Sequence, residues 1–232
     1  MERCPKCDDT GFLVDEETRR AYPCTCRPRR IARRRSASLA ARLPKRFREV
    51  SFEREPLVSI ERANPHQVRA VRAYVNAIGD NLDQGRGIWF TGDVGTGKTT
   101  LAMLISMAAL EAGRTVAIYS LPKLLARIRR TYDSEPGGDS YLSFFERLTS
   151  VDLLHIDDLG AEKRSDWVLE QLYALVNERY EAQRSVVITT NLPHPQLEEQ
   201  IGSRTVSRLT QMCDEVEVLG EDRRYGKYGQ AA

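Results

Sequence analysis

The apolar residues of this chain are grouped into short runs, separated by longer stretches in which apolar residues recur with a helical period. Short apolar runs followed by a polar turn are typical of buried strands. Strands are predicted at 88–91, 115–120, 153–157, 185–190 and 215–219. Helices are predicted at 65–83, 99–112, 121–131, 140–148, 164–182 and 195–211. This alternation predicts an α/β fold with a parallel sheet.

The junction of the first predicted strand with its helix carries a phosphate-loop pattern. It consists of Gly92, Asp93, Val94, Gly95, Thr96, Gly97, Lys98, Thr99 and Thr100. Glycines allow the backbone N–H groups to turn inward, and the following helix directs the positive end of its dipole to the same point. Lys98 is predicted to reach the terminal phosphates of ATP, and Thr99 to bind Mg²⁺. The alternative is a glycine-rich turn without a ligand. It is disfavoured because a predicted strand precedes the loop and an apolar helix follows it.

The third predicted strand ends in two adjacent carboxylates, Asp157 and Asp158. Ligands of open α/β sheets bind at the carboxyl ends of the strands, so these side chains are expected beside the phosphate loop. Asp157 is predicted to bind Mg²⁺, and Asp158 to orient and polarise the water that attacks the γ-phosphate. Two aspartates in a loop would alone be helix caps more often than catalysts. Together with the phosphate loop they favour a catalytic role.

The fourth predicted strand and the helix after it supply three further candidates. Asn191 is predicted to sense the γ-phosphate, with a helix cap or turn as the alternative. Arg204 and Arg208 are four residues apart on one helical face, a spacing that also occurs on ordinary surfaces. Arg204 is predicted to reach the γ-phosphate of a neighbouring subunit as an arginine finger, and Arg208 to contact the nucleotide of its own subunit. A monomer is then expected to hydrolyse ATP slowly.

Four of the five cysteines are close to the start of the chain. Cys4 and Cys7 form a C-x2-C pair, and Cys24 and Cys26 form a C-x-C pair. Four thiolates can surround one tetrahedral Zn²⁺, and the polar turn between the pairs predicts a hairpin. A lobe this small has too little core to fold unaided, so zinc is predicted to stabilise it, with a redox pair or free thiols as alternatives. Cys213 is expected to be a buried apolar residue.

A basic segment follows the cysteines. Residues 27–48 contain ten of the chain's 35 basic residues and no acidic one, whereas the whole chain has a net charge of only +2. Three interpretations of such a segment are open: a solvated helix face, a binding surface for nucleic-acid phosphates, or a binding surface for an acidic partner. Leu39, Leu43 and Phe47 recur at a helical spacing, which predicts a partly amphipathic linker helix broken at Pro44.

The length of 232 residues suits one α/β domain with a small appendage. The predicted division is a zinc-binding module at 1–27, a basic linker helix and connection at 28–60, and an ATPase domain at 61–232. No apolar stretch approaches the roughly 20 residues that span a bilayer, and no apolar signal region follows the N-terminus. The protein is therefore expected to be cytoplasmic and to have no contact with a membrane.

One set of motifs occurs in a characteristic order over roughly residues 43–226. The set comprises Leu43-Pro44-Lys45-Arg46-Phe47, Phe90-Thr91 with the phosphate loop, 153–160, Asn177-Glu178-Arg179-Tyr180, Thr189-Thr190-Asn191 and 203–209. In this order it resembles the AAA+ ATPases of the DnaC/DnaI type of replicative helicase loader, and their near relative, the IstB transposition helper. Each motif alone also occurs in other P-loop ATPases.

The resemblance implies a P-loop NTPase fold of the AAA+ type, with a five-stranded parallel sheet, flanking helices and little or no C-terminal lid. It also implies ATP-dependent self-association into an oligomer, binding of single-stranded DNA, and engagement of a replicative helicase hexamer by the N-terminal region. ATP and Mg²⁺ are the expected cofactors, besides the Zn²⁺ predicted from the cysteines.

Three functions remain open at this point. A helicase loader would assemble with ATP on helicase and single-stranded DNA, and hydrolysis would release it. A transposition helper would deform duplex DNA for a transposase, although the four-cysteine head favours a loader. A nucleotide-gated zinc adaptor would bind another protein, with incidental hydrolysis. A nucleotide or shikimate-type kinase would not need the Asp157-Asp158 strand followed by Asn191 and paired arginines.

Overall fold

The computed structural model describes residues 4–8, 10–15, 18–27, 47, 49–132 and 140–223. Residues 28–46 of the basic segment lie outside this part of the chain, so the linker helix stays a prediction. The boundaries of the three predicted segments also stay predictions.

The elements of the described residues follow in chain order. The strands are β1 (Phe12–Val14), β2 (Ala21–Pro23), β3 (Gly87–Thr91), β4 (Val116–Ser120), β5 (Leu153–Asp157), β6 (Ser185–Thr189) and β7 (Cys213–Glu217). The helices before β5 are α1 (Leu57–Ala63), α2 (Pro65–Asn76), α3 (Ile78–Asp83), α4 (Lys98–Glu111), α5 (Leu121–Tyr132) and α6 (Tyr141–Ser150). After β5 come α7 (Asp166–Glu181), α8 (His194–Ile201) and α9 (Ser203–Met212).

Strands β3 to β7 form a parallel sheet in the order β4-β5-β6-β3-β7. Strand β6 therefore lies between β5 and β3, although it follows both in the sequence. Because the strands are parallel, their carboxyl ends lie along one end of the sheet. This arrangement brings the phosphate loop, the Asp157-Asp158 pair and Asn191 to that end. The predicted five-stranded parallel sheet with flanking helices is confirmed.

Both faces of the sheet are covered by helices, which explains the continuous apolar runs of its strands. All residues of β3 and β6 are buried. On one face, α5 to α9 close a core that includes Trp89 and Phe144. On the other face, α1 to α4 close a core that includes Phe90 and Leu101. The phosphate loop thus joins a buried strand to a buried helix.

Two predicted helices were wrong in extent, because each is in fact two helices. The helix predicted at 195–211 is α8 and α9, since Gly202 between them has a φ of +87°, a left-handed value that favours glycine. The helix predicted at 65–83 is α2 and α3, which are separated at Ala77 with φ −105° and ψ 28°. The apolar pattern continues through both breaks, so periodicity alone does not show them.

The predicted strand at 215–219 was also wrong in its bounds. Strand β7 begins at Cys213, opposite Gly87, and its last pair joins Glu217 to Thr91. Leu219, which the prediction included, is 54% exposed and contacts the side chain of Asn64 instead. Helix α1 was not predicted, and its two buried residues, Leu57 and Ile60, belong to the core.

The predicted hairpin between the cysteine pairs is present as β1 and β2. The two strands are antiparallel, with Leu13 opposite Tyr22. Every residue of both strands is exposed. The guanidinium of Arg27 lies 4.1 Å from the centre of the Phe12 ring, which is itself 39% exposed. The hairpin therefore buries little apolar surface within the described residues.

Arg179 of α7 joins three elements inside the core. Its side chain is fully buried. Nη1 donates to the carbonyl of Leu148 at 2.7 Å, and Nη2 donates to the carbonyls of Val151 at 3.0 Å and Ser185 at 2.7 Å. These carbonyls belong to the end of α6, the connection to β5 and the start of β6. Burial lowers the pKa of Arg179 to about 9, and the cation suits the negative end of the α6 dipole.

Candidate nucleotide and metal sites

Lys98 is the first residue of α4, and its ammonium group lies inside the phosphate loop. Its Nζ donates to the carbonyl of Gly92 at 2.7 Å and to that of Asp93, and the residue is only 5% exposed. The ammonium is thus held at the N-terminus of a 14-residue helix, where the dipole and the loop N–H groups attract anions. This geometry fits the terminal phosphates of a nucleotide.

At least two positions of the loop require glycine. Gly92 has a φ of +122° and Gly97 a φ of +114°, values that other residues rarely adopt. A Cβ atom at Gly92 would collide with the carbonyl of Val218, and one at Gly97 would collide with the side chain of Ile60. Helix α1, through Ile60, and the segment after β7, through Val218, therefore both pack against the loop.

A carboxylate oxygen of Asp157 accepts two hydroxyl hydrogen bonds. Thr99 donates to Oδ1 at 2.9 Å from the loop side, and Thr189 donates to the same atom at 2.7 Å from the end of β6. Hydroxyl and carboxylate oxygens are ligands that Mg²⁺ accepts in nucleotide sites. The structure therefore brings together the two residues that were predicted to bind Mg²⁺.

Asp158 adopts a left-handed backbone conformation, with a φ of +57°. Aspartate is one of the few residues besides glycine that tolerate this conformation. The N–H of Asp158 donates to Oγ1 of Thr189 at 3.0 Å, and the N–H of Leu159 donates to the carbonyl of Thr189 at 2.8 Å. The chain turns sharply here, so Asp157 bonds to Thr99 while the exposed Asp158 lines a neighbouring cavity.

The cavity beside the loop has a volume of about 450 Å³, within the usual range for ligand sites. Its walls comprise the apolar residues Phe47, Val50, Pro56 and Ile60, the loop and helix residues Gly95, Gly97, Lys98, Thr99 and Thr100, and the polar residues Asp158, Asn191 and Arg223. An apolar wall can contact a base, and the loop can contact phosphates. A cavity with both apolar residues and the phosphate loop in its walls therefore fits a nucleoside triphosphate.

Asn191 lies two residues after β6, is exposed and lines the same cavity as Asp158. Three residues further along the chain, the ring centre of His194 lies 5.3 Å from that of Trp89. The position of Asn191 is compatible with contact to a terminal phosphate. Its sensor role stays a prediction.

The two arginines of α9 are in different surroundings, and neither is among the residues that line the cavity. Arg204 is exposed on the first turn of α9. The guanidinium of Arg208 lies 4.3 Å from the centre of the Tyr180 ring, and its Nε donates to Oδ1 of Asn177 at 3.2 Å. The structure therefore does not bring Arg208 to the cavity of its own chain. Both assigned roles stay predictions.

His155, the third residue of β5, connects this strand to α4. Its ring is fully buried, and Nδ1 lies 2.9 Å from Oγ of Ser106 in α4. Burial lowers the pKa of His155 to about 4, although the charge of Asp157 acts in the opposite direction. The ring is therefore neutral at pH 7 and acts as a hydrogen-bonded core residue.

The four N-terminal cysteines form one cluster, in which all four sulfur atoms lie within 4.8 Å of one another. The Sγ atoms of Cys7 and Cys26 are 3.3 Å apart, and those of Cys4 and Cys24 are 3.9 Å apart. A tetrahedron with Zn–S bonds of about 2.3 Å has sulfur atoms roughly 3.8 Å apart. The cluster is therefore compatible with zinc and far too open for disulfide bonds.

A hydrogen bond between the two thiols raises the pKa of Cys26 and lowers that of Cys7. Burial acts to raise the pKa of the Cys7 thiol, but hydrogen bonds with Cys26 and the Gly11 amide outweigh burial and lower the pKa to about 6. The N–H of Gly11 lies 3.3 Å from the sulfur atom. A thiolate at neutral pH is the form that binds metal ions. Cys213, by contrast, is only half-buried at the start of β7 and not fully buried as predicted, although burial of its thiol raises its pKa.

Sequence reasoning missed three contributors to the nucleotide site. Thr189 precedes Asn191 at the end of a strand, so its strand register could have placed it near Asp157. Ile60 belongs to a short helix whose pattern is too brief to detect. Arg223 lies in a polar segment that resembles no motif.

Within the described residues, none of the helices combines the length and the apolar composition needed to cross a bilayer.

Comparisons with known proteins are consistent with this site. The family described as "IstB-like ATP binding protein" matches residues 29–231. The chain is 29% identical over 143 residues to "Uncharacterized protein YdaV" of Escherichia coli strain K12, covering 61% of this chain and 56% of that protein. It is 26% identical over 142 residues to the replicative helicase loader DnaC of Buchnera aphidicola subsp. Schizaphis graminum, again covering 61% and 56%.

A solved structure shows the same fold. The crystal structure of the DnaC helicase loader superimposes with a TM-score of 0.64 at 27% identity, covering 76% of this chain and 100% of that chain. The chain spans little more than half the length of the curated relatives that it matches.

Proposed function

Because the chain belongs to the IstB-like ATP binding protein family, we propose that it is an ATPase that loads or remodels a hexameric replicative helicase on single-stranded DNA. ATP binding would favour the assembled complex, and hydrolysis would release it. One observation supports the ATPase part of the proposal. The hydroxyl groups of Thr99 and Thr189 both donate to Oδ1 of Asp157, at 2.9 Å and 2.7 Å.

The catalytic proposal follows from the positions of individual side chains. Thr99 and Asp157 would hold Mg²⁺, which when bound neutralises charge on the β- and γ-phosphates. Lys98 would exchange its contacts with loop carbonyls for contacts with phosphate oxygens. Asp158 would orient the attacking water, and Asn191 would contact the γ-phosphate. Since phosphoryl transfer depends mainly on positioning and charge, these five groups suffice as a first assignment.

The neighbouring subunit would complete the site. Arg204 is exposed at the start of α9, as a residue that acts on another chain must be. An arginine finger contributes about 10³ to 10⁵ in rate. The proposed enzyme is therefore slow as a monomer and faster in an ATP-dependent oligomer.

The helicase is proposed as the client because of the relatives. The Buchnera relative and the superimposed crystal structure are both named as helicase loaders. The four-cysteine module and the basic segment are proposed as the contact surface. Exposed apolar side chains of the hairpin, with Val14 67% and Tyr22 49% exposed, support a protein contact at this module.

An aromatic cluster at the ends of α5 and α6 supports binding of single-stranded DNA. Tyr132 is 53% exposed, and its ring stacks on that of Tyr141 with centres 5.2 Å apart. Trp167 meets Tyr132 edge-on at 6.5 Å, and Arg129 lies 4.6 Å from the centre of the Trp167 ring. Exposed aromatic rings beside arginines can stack bases and pair with phosphates.

The DNA proposal can be tested by removal of one ring. Tyr132→Ala should weaken binding of a fluorescent oligonucleotide about tenfold, because base stacking on an aromatic side chain contributes roughly 1–3 kcal/mol. Leu142, which is 70% exposed in the same region, provides a control, since Leu142→Ala removes apolar surface without a ring. Equal affinities for the wild type and Tyr132→Ala would reject the cluster as the DNA site.

A transposition helper is the second candidate, because the matching family is described as IstB-like. Such a protein would use the same nucleotide site to act on duplex DNA with a transposase. The two candidates differ in their client, so both clients should be offered in the same assay.

The client proposal is tested by co-purification of the tagged full chain with the replicative helicase of its host in the presence of ATP. We expect capture by the wild type, and loss of capture by Lys98→Ala and by Cys24→Ala. Cys213→Ala is the matched control, because it changes a cysteine outside the cluster. Capture of a transposase in place of the helicase would favour the second candidate. Capture by Lys98→Ala at the wild-type level would show that the contact does not depend on ATP.

A further inference from the structure

The segment after β7 turns back across the phosphate loop and is held there by the backbone. The N–H of Val218 donates to the carbonyl of Thr91 at 2.8 Å, and the N–H of Arg223 donates to the carbonyl of Gly95 at 3.3 Å. Gly95 belongs to the loop itself, where a Cβ atom would collide with Asp222. Arg223 is therefore fixed next to the residues that would surround the phosphates.

A buried asparagine fixes the start of this segment. Asn64, which is 1% exposed, accepts from the N–H of Leu219 at 2.8 Å and donates from Nδ2 to the carbonyl of Leu219 at 2.8 Å. This reciprocal pair resembles the hydrogen bonding between two strands. Because both groups of one side chain are used, the segment is held in one register relative to helices α1 and α2.

The side chain of Arg223 lines the cavity together with Lys98 and Thr99. Its Nε is buried and has no hydrogen-bond partner among the described residues. A buried donor without an acceptor is unfavourable, and an acceptor that carries negative charge compensates best. The unused N–H therefore points to an anionic ligand in the cavity.

We propose that Arg223 binds the nucleotide of its own subunit by donating hydrogen bonds to oxygens of its terminal phosphates. The inference rests on the proposed nucleotide site and adds a residue to it. Arg223 takes the role that the sequence analysis assigned to Arg208, whose Nε already donates to Asn177. A planar guanidinium can donate two parallel hydrogen bonds to phosphate oxygens in a fixed geometry that the ammonium group of a lysine does not provide.

The test is the equilibrium affinity of the full chain for a fluorescent ATP analogue, with AMP as a competitor. Arg223→Gln should weaken ATP binding about 10- to 100-fold, as expected for the loss of charge-assisted hydrogen bonds. AMP binding should change much less, because AMP lacks the terminal phosphates. Arg223→Lys, which keeps the charge, should recover part of the affinity. Arg69→Gln is the matched control, since Arg69 is exposed on α2.

Affinity of Arg223→Gln within twofold of the wild type would overturn the inference while the nucleotide site stands. An equal loss for ATP and AMP would overturn the assignment to the terminal phosphates. If the wild type bound no ATP, or if Lys98→Ala bound ATP with the same affinity as the wild type, the proposed site and this inference would fail together. Thermal unfolding of each variant shows whether a loss of affinity reflects a loss of fold.

Discussion

Every residue of β3 is buried, whereas every residue of β1 and β2 is exposed. The five-stranded core is stabilised by apolar surface on both sides of a sheet. The cysteine module has a hairpin of three-residue strands and a cluster of four sulfur atoms. A hairpin this short is not stable alone in water. The comparison teaches that one chain can combine a fold stabilised by burial on both faces of a sheet with a small lobe whose strands bury little apolar surface.

Removal of metal should have the largest effect, and only on the module. If zinc stabilises the cluster, a strong chelator should unfold residues 4–27 completely, because ligand binding and folding are coupled in such lobes. The thermal midpoint of the core should not move. The measurement is an amide NMR spectrum before and after chelation, with the melting curve followed in parallel. Unchanged amide signals from the hairpin would refute the role of metal.

Arg179→Met should have the next largest effect, and only on the core. The change removes three hydrogen bonds shorter than 3.1 Å and leaves buried carbonyls without this donor. Each unsatisfied buried group costs about 1–3 kcal/mol, so a loss of about 3 kcal/mol or more is expected. Urea unfolding measures the loss. Arg184→Met is the control, since Arg184 bonds to Asp152 with its side chain 40% exposed.

A matched pair of leucines, one of which should give the smallest effect of all, provides the most direct comparison of the two regions. Leu124 of α5 is fully buried, whereas Leu13 of the hairpin is 37% exposed. Leu124→Ala should destabilise the core by about 2–5 kcal/mol, because it leaves a cavity among packed side chains. Leu13→Ala should change the stability of the module by about 0.5 kcal/mol or less. Similar losses in both regions would contradict the proposed difference in their stabilisation.

The sequence predicted the sheet well, because its strands are buried on both faces and appear as continuous apolar runs. The bounds of β5 agree with the prediction, at Leu153–Asp157. The extent of helices was predicted less well, since a single residue such as Gly202 ends a helix without a change in the apolar pattern. Helix α1 contributes only two buried residues in seven positions, which is too short a signal for periodicity.

The candidate site was predictable where chemistry depends on a motif. The phosphate loop and the Asp157-Asp158 pair belong to this group, and the structure brings them together at one end of the sheet. Arg223 was not predictable, because its place depends on a tertiary contact between Asn64 and Leu219, which are 155 residues apart. The roles of Asn191, Arg204 and Arg208 stay predictions, since they concern a bound nucleotide or a second subunit.

The most direct test of the account compares ATP binding with ATP hydrolysis in two variants of the full chain. Lys98→Ala should lose ATP binding, because the ammonium at the head of α4 is removed. Asp158→Asn should keep the affinity for ATP and Mg²⁺ of the wild type but lose at least tenfold in single-turnover hydrolysis, as expected when a catalytic base or water-orienting group is removed. If Asp158→Asn hydrolysed ATP at the wild-type rate, or if Lys98→Ala bound ATP as tightly as the wild type, the proposed ATPase site would be contradicted.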